Sequence, residues 1–404
     1  MERKMKDSGI PWIGMIPNDW NVVRTKNVFA CSKSLVGEDW SHTQLLSLTT
    51  RGVKEVAIGS TSGKVPNSYE TYQVVNKDNL VMCLFDLDCS AVFSGVSNFH
   101  GMISPAYKVL KTLDGFYPAF YGYWFDYIFD GRKYKYLSKN IRYSMTYDEF
   151  AALGIAAPTL PTQQLIADFL NRKCAEIDEL AALQETMIAE LKRYKQSVIT
   201  EAVTKGLNTN VPMKDSGVEW IGEIPKGWVV RAIKTMATLK SGSNITTNDI
   251  KEEKIGFPVY GGNGLRGYYS EYSDDGDYAL IGRQGALCGN INYAHGKFWA
   301  TDHCVVCYPK TEFVLTWFGE TLRTMNLNQY SLSCAQPGLS VERIKEKLMP
   351  VPPLTEQRTI ADYLDQKCAE IDELIAIKQQ KIEALKEYKK SVIFEYVTGK
   401  KEVL

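Results

Sequence analysis

Lys173-Cys174-Ala175-Glu176-Ile177-Asp178-Glu179-Leu180 returns letter for letter as Lys367-Cys368-Ala369-Glu370-Ile371-Asp372-Glu373-Leu374. At the same offset of 194, residues 158–204 agree with 352–398 at 27 of 47 positions, so the chain carries a duplicated element. That element reads as a long helix. Ile166, Leu170, Ile177, Leu180, Met187, Leu191, Tyr194 and Val198 fall at alternating steps of three and four, with Lys173 and Gln184 interrupting, which is the spacing of a coiled-coil seam. The second copy keeps Ile360, Leu364, Ile371, Leu374, Leu385, Tyr388 and Val392. Pro158 and Pro161 precede the first copy, Pro352 and Pro353 the second, and Gly206 and Gly399 follow them, as helix starts and stops require. About 43 residues at 1.5 Å rise make a rod roughly 65 Å long. Two such rods in one chain are expected to pack on each other. A seam needs Ile177 and Leu180, but it does not need Glu176, Asp178 and Glu179 to match Glu370, Asp372 and Glu373. Their identity points to both helices offering one face to one kind of partner, twice, although a recent duplication leaves the same trace.

A second repeat opens each half. Met5-Lys6-Asp7-Ser8-Gly9, Trp12-Ile13-Gly14, Ile16-Pro17 and Trp20 recur as Met213-Lys214-Asp215-Ser216-Gly217, Trp220-Ile221-Gly222, Ile224-Pro225 and Trp228, 11 of 16 positions identical at an offset of 208. Gly, Pro and Trp at this spacing cannot continue a helix and read as an irregular lead-in anchored by aromatic rings. Each half therefore runs lead-in, variable domain, long helix. The expected boundaries are 1–158 for the first lead-in and domain, 159–206 for the first helix, 207–352 for the second lead-in and domain, and 353–404 for the second helix.

With 404 residues the chain has room for two or three domains with real cores. Lys+Arg and Asp+Glu are both 47, and the segments 20–158 and 228–352 are each close to balanced, so any nucleic-acid contact must come from local patches. The N-terminus leads into no apolar stretch of a secretory signal, no run of 18 apolar residues occurs, and the nine cysteines lack framework spacing. These features fit a soluble, cytoplasmic chain with reduced thiols and no membrane partner. His303-Cys304-Val305-Val306-Cys307 gathers metal-ligating residue types, but on a strand Cys304 and Cys307 face opposite sides and cannot share an ion without a turn between them.

The first variable domain is strand-rich, with candidate strands in 44–48, 72–75, 80–85 and 106–110. Its segment Arg132-Lys133-Tyr134-Lys135-Tyr136, followed by Lys139, Arg142 and Tyr143, interleaves five cations with three tyrosines. Such a stretch can pair with phosphates while rings or guanidinium forks meet bases; it also fits the wet face of a surface helix. Arg51, Lys54 and Lys64 are further candidate DNA contacts in this domain. In the second domain, Tyr260-Gly261-Gly262-Asn263-Gly264-Leu265-Arg266-Gly267-Tyr268 and Ile281-Gly282-Arg283-Gln284-Gly285 are glycine-rich. They read as hairpin turns, or as loops that let the backbone approach DNA while Asn263, Arg266, Arg283 and Gln284 meet adenine or guanine edges. Lys297 joins the same candidate set.

Catalytic signatures are missing. The sequence has no Asp/Asn-Pro-Pro-aromatic tetrad, no GxxxxGK[ST] and no HExxH, and Glu252-Glu253-Lys254 has no nearby Pro-Asp partner for a nuclease.

Two unlike strand-rich domains, each followed by a near-identical helix, resemble the DNA specificity (S) subunit of Type I restriction-modification systems. The residues that carry the resemblance are Ser8-Gly9, Trp12-Ile13-Gly14 and Pro17, their copies at Ser216-Gly217, Trp220-Ile221-Gly222 and Pro225, and Pro352-Pro353-Leu354-Thr355-Glu356-Gln357 with Ile360-Ala361. Gly101-Met102-Ile103-Ser104-Pro105-Ala106-Tyr107, Gly282-Arg283-Gln284-Gly285 and Trp299-Ala300-Thr301-Asp302-His303 are similar to sequences of the family's target recognition domains. In Pro158-Thr159-Leu160-Pro161-Thr162-Gln163, Thr162 departs from the pattern by standing where the family has Glu. The resemblance implies an α+β fold, with two strand-rich target recognition domains, two long antiparallel coiled-coil helices and a pseudo-two-fold repeat. It also implies a non-catalytic subunit binding double-stranded DNA, two methyltransferase (M) subunits and restriction (R) subunits. S-adenosylmethionine, ATP and Mg would belong to those partners, with no cofactor on this chain. Glu176, Asp178, Glu179, Glu370, Asp372 and Glu373 are the expected partner-facing residues.

Overall fold

In the computed structural model, the described residues are 3–10, 13–50, 52–59, 68–87, 92–130, 135, 143–285, 287–331 and 338–403. The fold is α+β. The two repeated segments form helices Leu160–Lys205 and Leu354–Val397. Tertiary contacts divide the chain into two units, 1–184 with 380–404, and 185–379.

In the first unit the lead-in is a small hairpin, Met5–Asp7 against Met15–Pro17. The strand Asn21–Arg24 then pairs with Gly154–Ala157, so the domain closes where it began, just before the long helix. Between them an antiparallel sheet runs Phe29–Cys31, Lys108–Thr112, Leu80–Met82, Ser94–Val96. Two hairpin-like pairs flank it, Leu46–Thr49 with Gly52–Glu55 and Gln73–Val75 with Gly101–Ile103. The helix Pro118–Asp130 supplies Phe120, Tyr121, Trp124, Phe125 and Ile128 to the core, all fully buried. Aromatic rings bury large apolar area per side chain, so this one helix supplies much of the domain's hydrophobic core.

The second unit repeats the plan with other residues. Its lead-in hairpin is Met213–Asp215 with Glu223–Pro225, and Val229–Ala232 pairs with Leu348–Val351 to close the domain. The antiparallel sheet runs Ala237–Ser241, Cys304–Pro309, Tyr278–Gly282, Ile291–Ala294, with the helix Leu315–Thr324 packed on it. A second four-stranded sheet holds Gly264–Tyr269, Phe257–Gly261, Lys297–Ala300 and Asp274–Asp275. As alternation requires, Cys304 packs with Leu280 and Phe298 on one face, and Cys307 with the main core on the other. Burial pushes the Cys304 thiol up to about 12 and raises Cys307 as well.

The second tryptophan of each lead-in does the same work. Trp20 packs over Gly399 in the first unit and Trp228 over Gly206 in the second, each glycine ending a long helix in the left-handed conformation. Each long helix begins on a buried glutamine. Gln163 donates from Nε2 to the Pro158 carbonyl and accepts from the Tyr117 backbone N–H, both at 2.8 Å. Gln357 repeats this with Pro352 and Val314, both at 3.0 Å. The motif's glutamine therefore fixes where the helix starts and locks it to the loop that feeds the domain's helix.

Within each unit the two long-helix segments run antiparallel. Asp178 pairs with Lys389 and Phe169 with Tyr396 in the first, while Lys195 pairs with Asp372 in the second. The seam differs from the expected one in half of its positions. Leu170, Ile177, Leu191 and Val198 face inward as expected, but the other column is Ala167, Cys174, Ala181, Ile188 and Lys195, each one residue later than the sequence suggests. Leu180 and Tyr194 are left 49% and 52% exposed, and their copies Leu374 and Tyr388 47% and 50%. Neighbouring columns differ by about 100° around the helix, and the partner segment selects between them. Ile166 and Ile360 stay buried because they pack into the cores of the domains.

Candidate nucleic-acid interface

The loops of the second unit converge at one end of its sheets. The Gly261-to-Gly264 turn presents Asn263, which is exposed and accepts from Asn290 Nδ2 at 3.3 Å. The chain leaving Tyr278–Gly282 presents Arg283 and Gln284. The Arg283 backbone N–H donates to the His303 carbonyl at 2.8 Å, its carbonyl accepts from Leu339 N–H at 2.8 Å, and its guanidinium donates to Ser241 Oγ at 3.1 Å. Gln284 bridges to Gly338 through its backbone and leaves its side chain exposed. The glycines of this region serve the assembly of the loops. A Cβ on Gly282 would lie 2.0 Å from the Gly262 carbonyl oxygen, and one on Gly262 2.6 Å from that of Gln284. Arg283 and Gln284 also wall a concavity of about 400 Å³ whose other side is Leu339 to Glu342. The result is a backbone frame held by main-chain hydrogen bonds, with Asn263 and Gln284 exposed on it and Arg283 half-buried beside them.

Arg266 lies on the return strand of the same hairpin, two residues past Gly264, and is exposed. Lys297 does not join this cluster. It stands at the far end of its strand, pairs in register with Asp275 and places Nζ 4.5 Å from the Tyr272 ring centroid.

The first unit has the same construction. Cys83 N–H donates to the Phe93 carbonyl, as Gly282 does to Asn290, and Met145 N–H donates to the Leu84 carbonyl, as Leu339 does to Arg283. Leu84 and Phe85 therefore occupy the positions of Arg283 and Gln284. The hairpin Leu46–Thr49 to Gly52–Glu55 carries Lys54, exposed and two residues past the left-handed Gly52. Lys135 places Nζ 5.2 Å from the Tyr143 ring centroid. Arg51, Lys64, Arg132, Lys133, Lys139 and Arg142 lie outside the described residues. Sequence reading did not join Asn290 to Asn263 or His303 to Arg283, because they become neighbours only once the strand registers are known.

The repeated acids divide into three kinds. Asp178 and Asp372 bind Lys389 and Lys195 across the seam through both carboxylate oxygens at 2.7 Å, so their identity has an internal reason that the sequence reading did not foresee. Glu176 and Glu370 pair with Lys173 and Lys367 one turn back. Glu179 and Glu373 are exposed beside the uncovered apolar residues Leu180, Leu183, Leu374 and Ile377. Among the described residues no three His, Cys, Asp or Glu side chains gather as a metal site, and no helix is long and apolar enough to cross a membrane.

Residues 225–387 match the family model described as Type I restriction modification DNA specificity domain. Over 130 residues, 31% of this chain, the sequence is 45% identical to the Type I restriction enzyme EcoprrI specificity subunit of Escherichia coli, and the match spans 32% of that protein. A putative type I restriction enzyme MjaX specificity subunit of Methanocaldococcus jannaschii is 23% identical over 96% of this chain and 95% of its own length. The fold is similar to a chain solved in work on complex assembly and conformational transition of the type I R-M system, with TM-score 0.72, 15% identity, and coverage of 95% of this chain and 98% of that one. With the repeated lead-ins and helices, these matches make the chain similar to Type I restriction-modification DNA specificity subunits, in sequence over its second half and in fold over nearly its whole length.

Proposed function

We propose that this chain is the non-catalytic DNA-recognition subunit of a Type I restriction-modification complex. The first domain, within 1–158, and the second, within 207–352, each read one half of a bipartite double-stranded site. The helices of 159–206 and 353–404 set the gap between half-sites and dock two M subunits, with R subunits joining the assembly. Methyl transfer and cleavage, and the S-adenosylmethionine, ATP and Mg they use, belong to those partners.

The observation that carries this reading is that both units hold the same loop frame but present different side chains from it, Phe85 in one, Arg283 and Gln284 in the other. Two dissimilar readers on a repeated frame fit an asymmetric target, because symmetric readers would favour a palindrome. Lys54 and Arg266, each beside a hairpin turn, suit phosphate contacts that set register. Leu180, Leu183, Leu374 and Ile377 with Glu179 and Glu373 form a face repeated once per helix, which fits one kind of partner docking twice.

Domain exchange tests it. Replacing residues 20–158 with the first reader of another specificity subunit should change one half of the methylated site, read by sequencing modified bases in the host, and leave the other half intact. If both halves changed together, independent reading would be wrong.

A further inference from the structure

Phe85 follows the central strand Leu80–Met82 of the first unit, and it is 38% exposed. Its ring rests on Tyr107, with centroids 5.9 Å apart and planes at 38°. A single exposed phenylalanine means little by itself. Here the backbone around it is strained. Asp86, the next residue, has φ +46°, and its N–H donates to Ser144 Oγ at 2.9 Å. Tyr143, just before Ser144, has φ +50°. Two left-handed residues, one of them bulky and neither of them glycine, thus meet across one hydrogen bond beside Phe85, and strain of this kind collects where a fold must aim a side chain. The supporting ring is uncharged. Burial, with Cys83 and Tyr72 beside it, raises the Tyr107 hydroxyl above its ordinary value.

Phe85 also stands where the second unit places Gln284. A side chain at that place with neither donor nor acceptor cannot read a hydrogen-bonding edge. The apolar feature that a base pair shows in the major groove is the thymine C5-methyl. We propose that Phe85 is a specificity-determining residue of the first reader and packs against a thymine methyl in its half-site, an inference that rests on the DNA-reading role above.

The test uses the full chain in complex with its methyltransferase partner and duplexes of the recognised site. Each thymine of the half-site assigned to residues 20–158 is replaced singly by deoxyuridine, which removes only the methyl. One replacement should weaken wild-type binding roughly threefold to fivefold, the scale of one buried methyl group. Phe85→Ala should bind that probe and the thymine probe equally, and Phe85→Leu should keep part of the difference. Because Phe85 is part exposed, the alanine variant should melt with the wild type; if it does not, Phe85→Leu carries the comparison. A half-site without thymine, no deoxyuridine effect, an effect that survives Phe85→Ala, or loss of binding alike on all probes would each overturn the inference while leaving the subunit's role standing. A wild-type complex with no sequence preference would overturn that role itself.

Discussion

The two units solve one packing problem with one set of residues, yet expose different side chains from one loop frame. In both, a buried glutamine starts the long helix, a lead-in tryptophan covers the glycine that ends one, and an aspartate meets a lysine across the seam. At the loop ends the backbone hydrogen bonds coincide, yet Phe85 is exposed in one unit where Gln284 is exposed in the other, and Leu84 is buried where Arg283 is half-buried. The frame is held by main-chain groups, which every residue carries, so outward side chains can change without disturbing it. The units also differ inside the frame. Trp228 Nε1 donates to Glu356 at 2.9 Å, whereas Trp20 Nε1 is buried without a partner among the described residues, and Thr162 stands in the place of Glu356.

If the frames are equivalent, removing the shared glutamine should cost both units alike. Gln163→Ala and Gln357→Ala each strand a buried carbonyl and an N–H, so each should lower stability by roughly 2–5 kcal/mol, measured by denaturant unfolding of the whole chain. Unequal losses would show that the two helix starts are not the same device.

The reading ends should separate the units. Gln284→Ala should reduce discrimination at one position of one half-site by about 1–3 kcal/mol and leave the other half-site unchanged, measured by competition binding with single-base variants. A uniform loss across both half-sites would place Gln284 in the frame.

The tryptophan difference can be reversed. Glu356→Thr should destabilise by about 1–2 kcal/mol, and Thr162→Glu should stabilise by about 1 kcal/mol by giving Trp20 an acceptor. A destabilising Thr162→Glu would mean that the first unit has repacked around its threonine.

Smallest is the seam. Asp178→Ala and Asp372→Ala each remove an ion pair whose aspartate is more than half exposed, so each should cost about 0.2–1 kcal/mol and less at high salt. A larger loss would give the pair a structural weight that its exposure does not explain.

Much of this was legible in the sequence because it is periodic or repeated. The duplication, the long helices, the alternation that separates Cys304 from Cys307 and the hairpin at Gly261 to Gly264 follow from spacing and from residue types with narrow conformational preferences. The resemblance to Type I specificity subunits followed from the combination of motifs. What the sequence could not decide was every choice between nearly equal local options. Ala167, Cys174 and Ala181 line the seam while Leu180 and Tyr194 stay exposed, because a rotation of one residue is settled by the segment packed against the helix and not by the hydrophobicity of either column. Asp178 looked free to face a partner because its lysine lies 211 residues away along the chain. Phe85 and Gln284 share a position only through strand registers and two backbone hydrogen bonds, and such pairing leaves no mark in the letters, since the groups that make it are common to all residues.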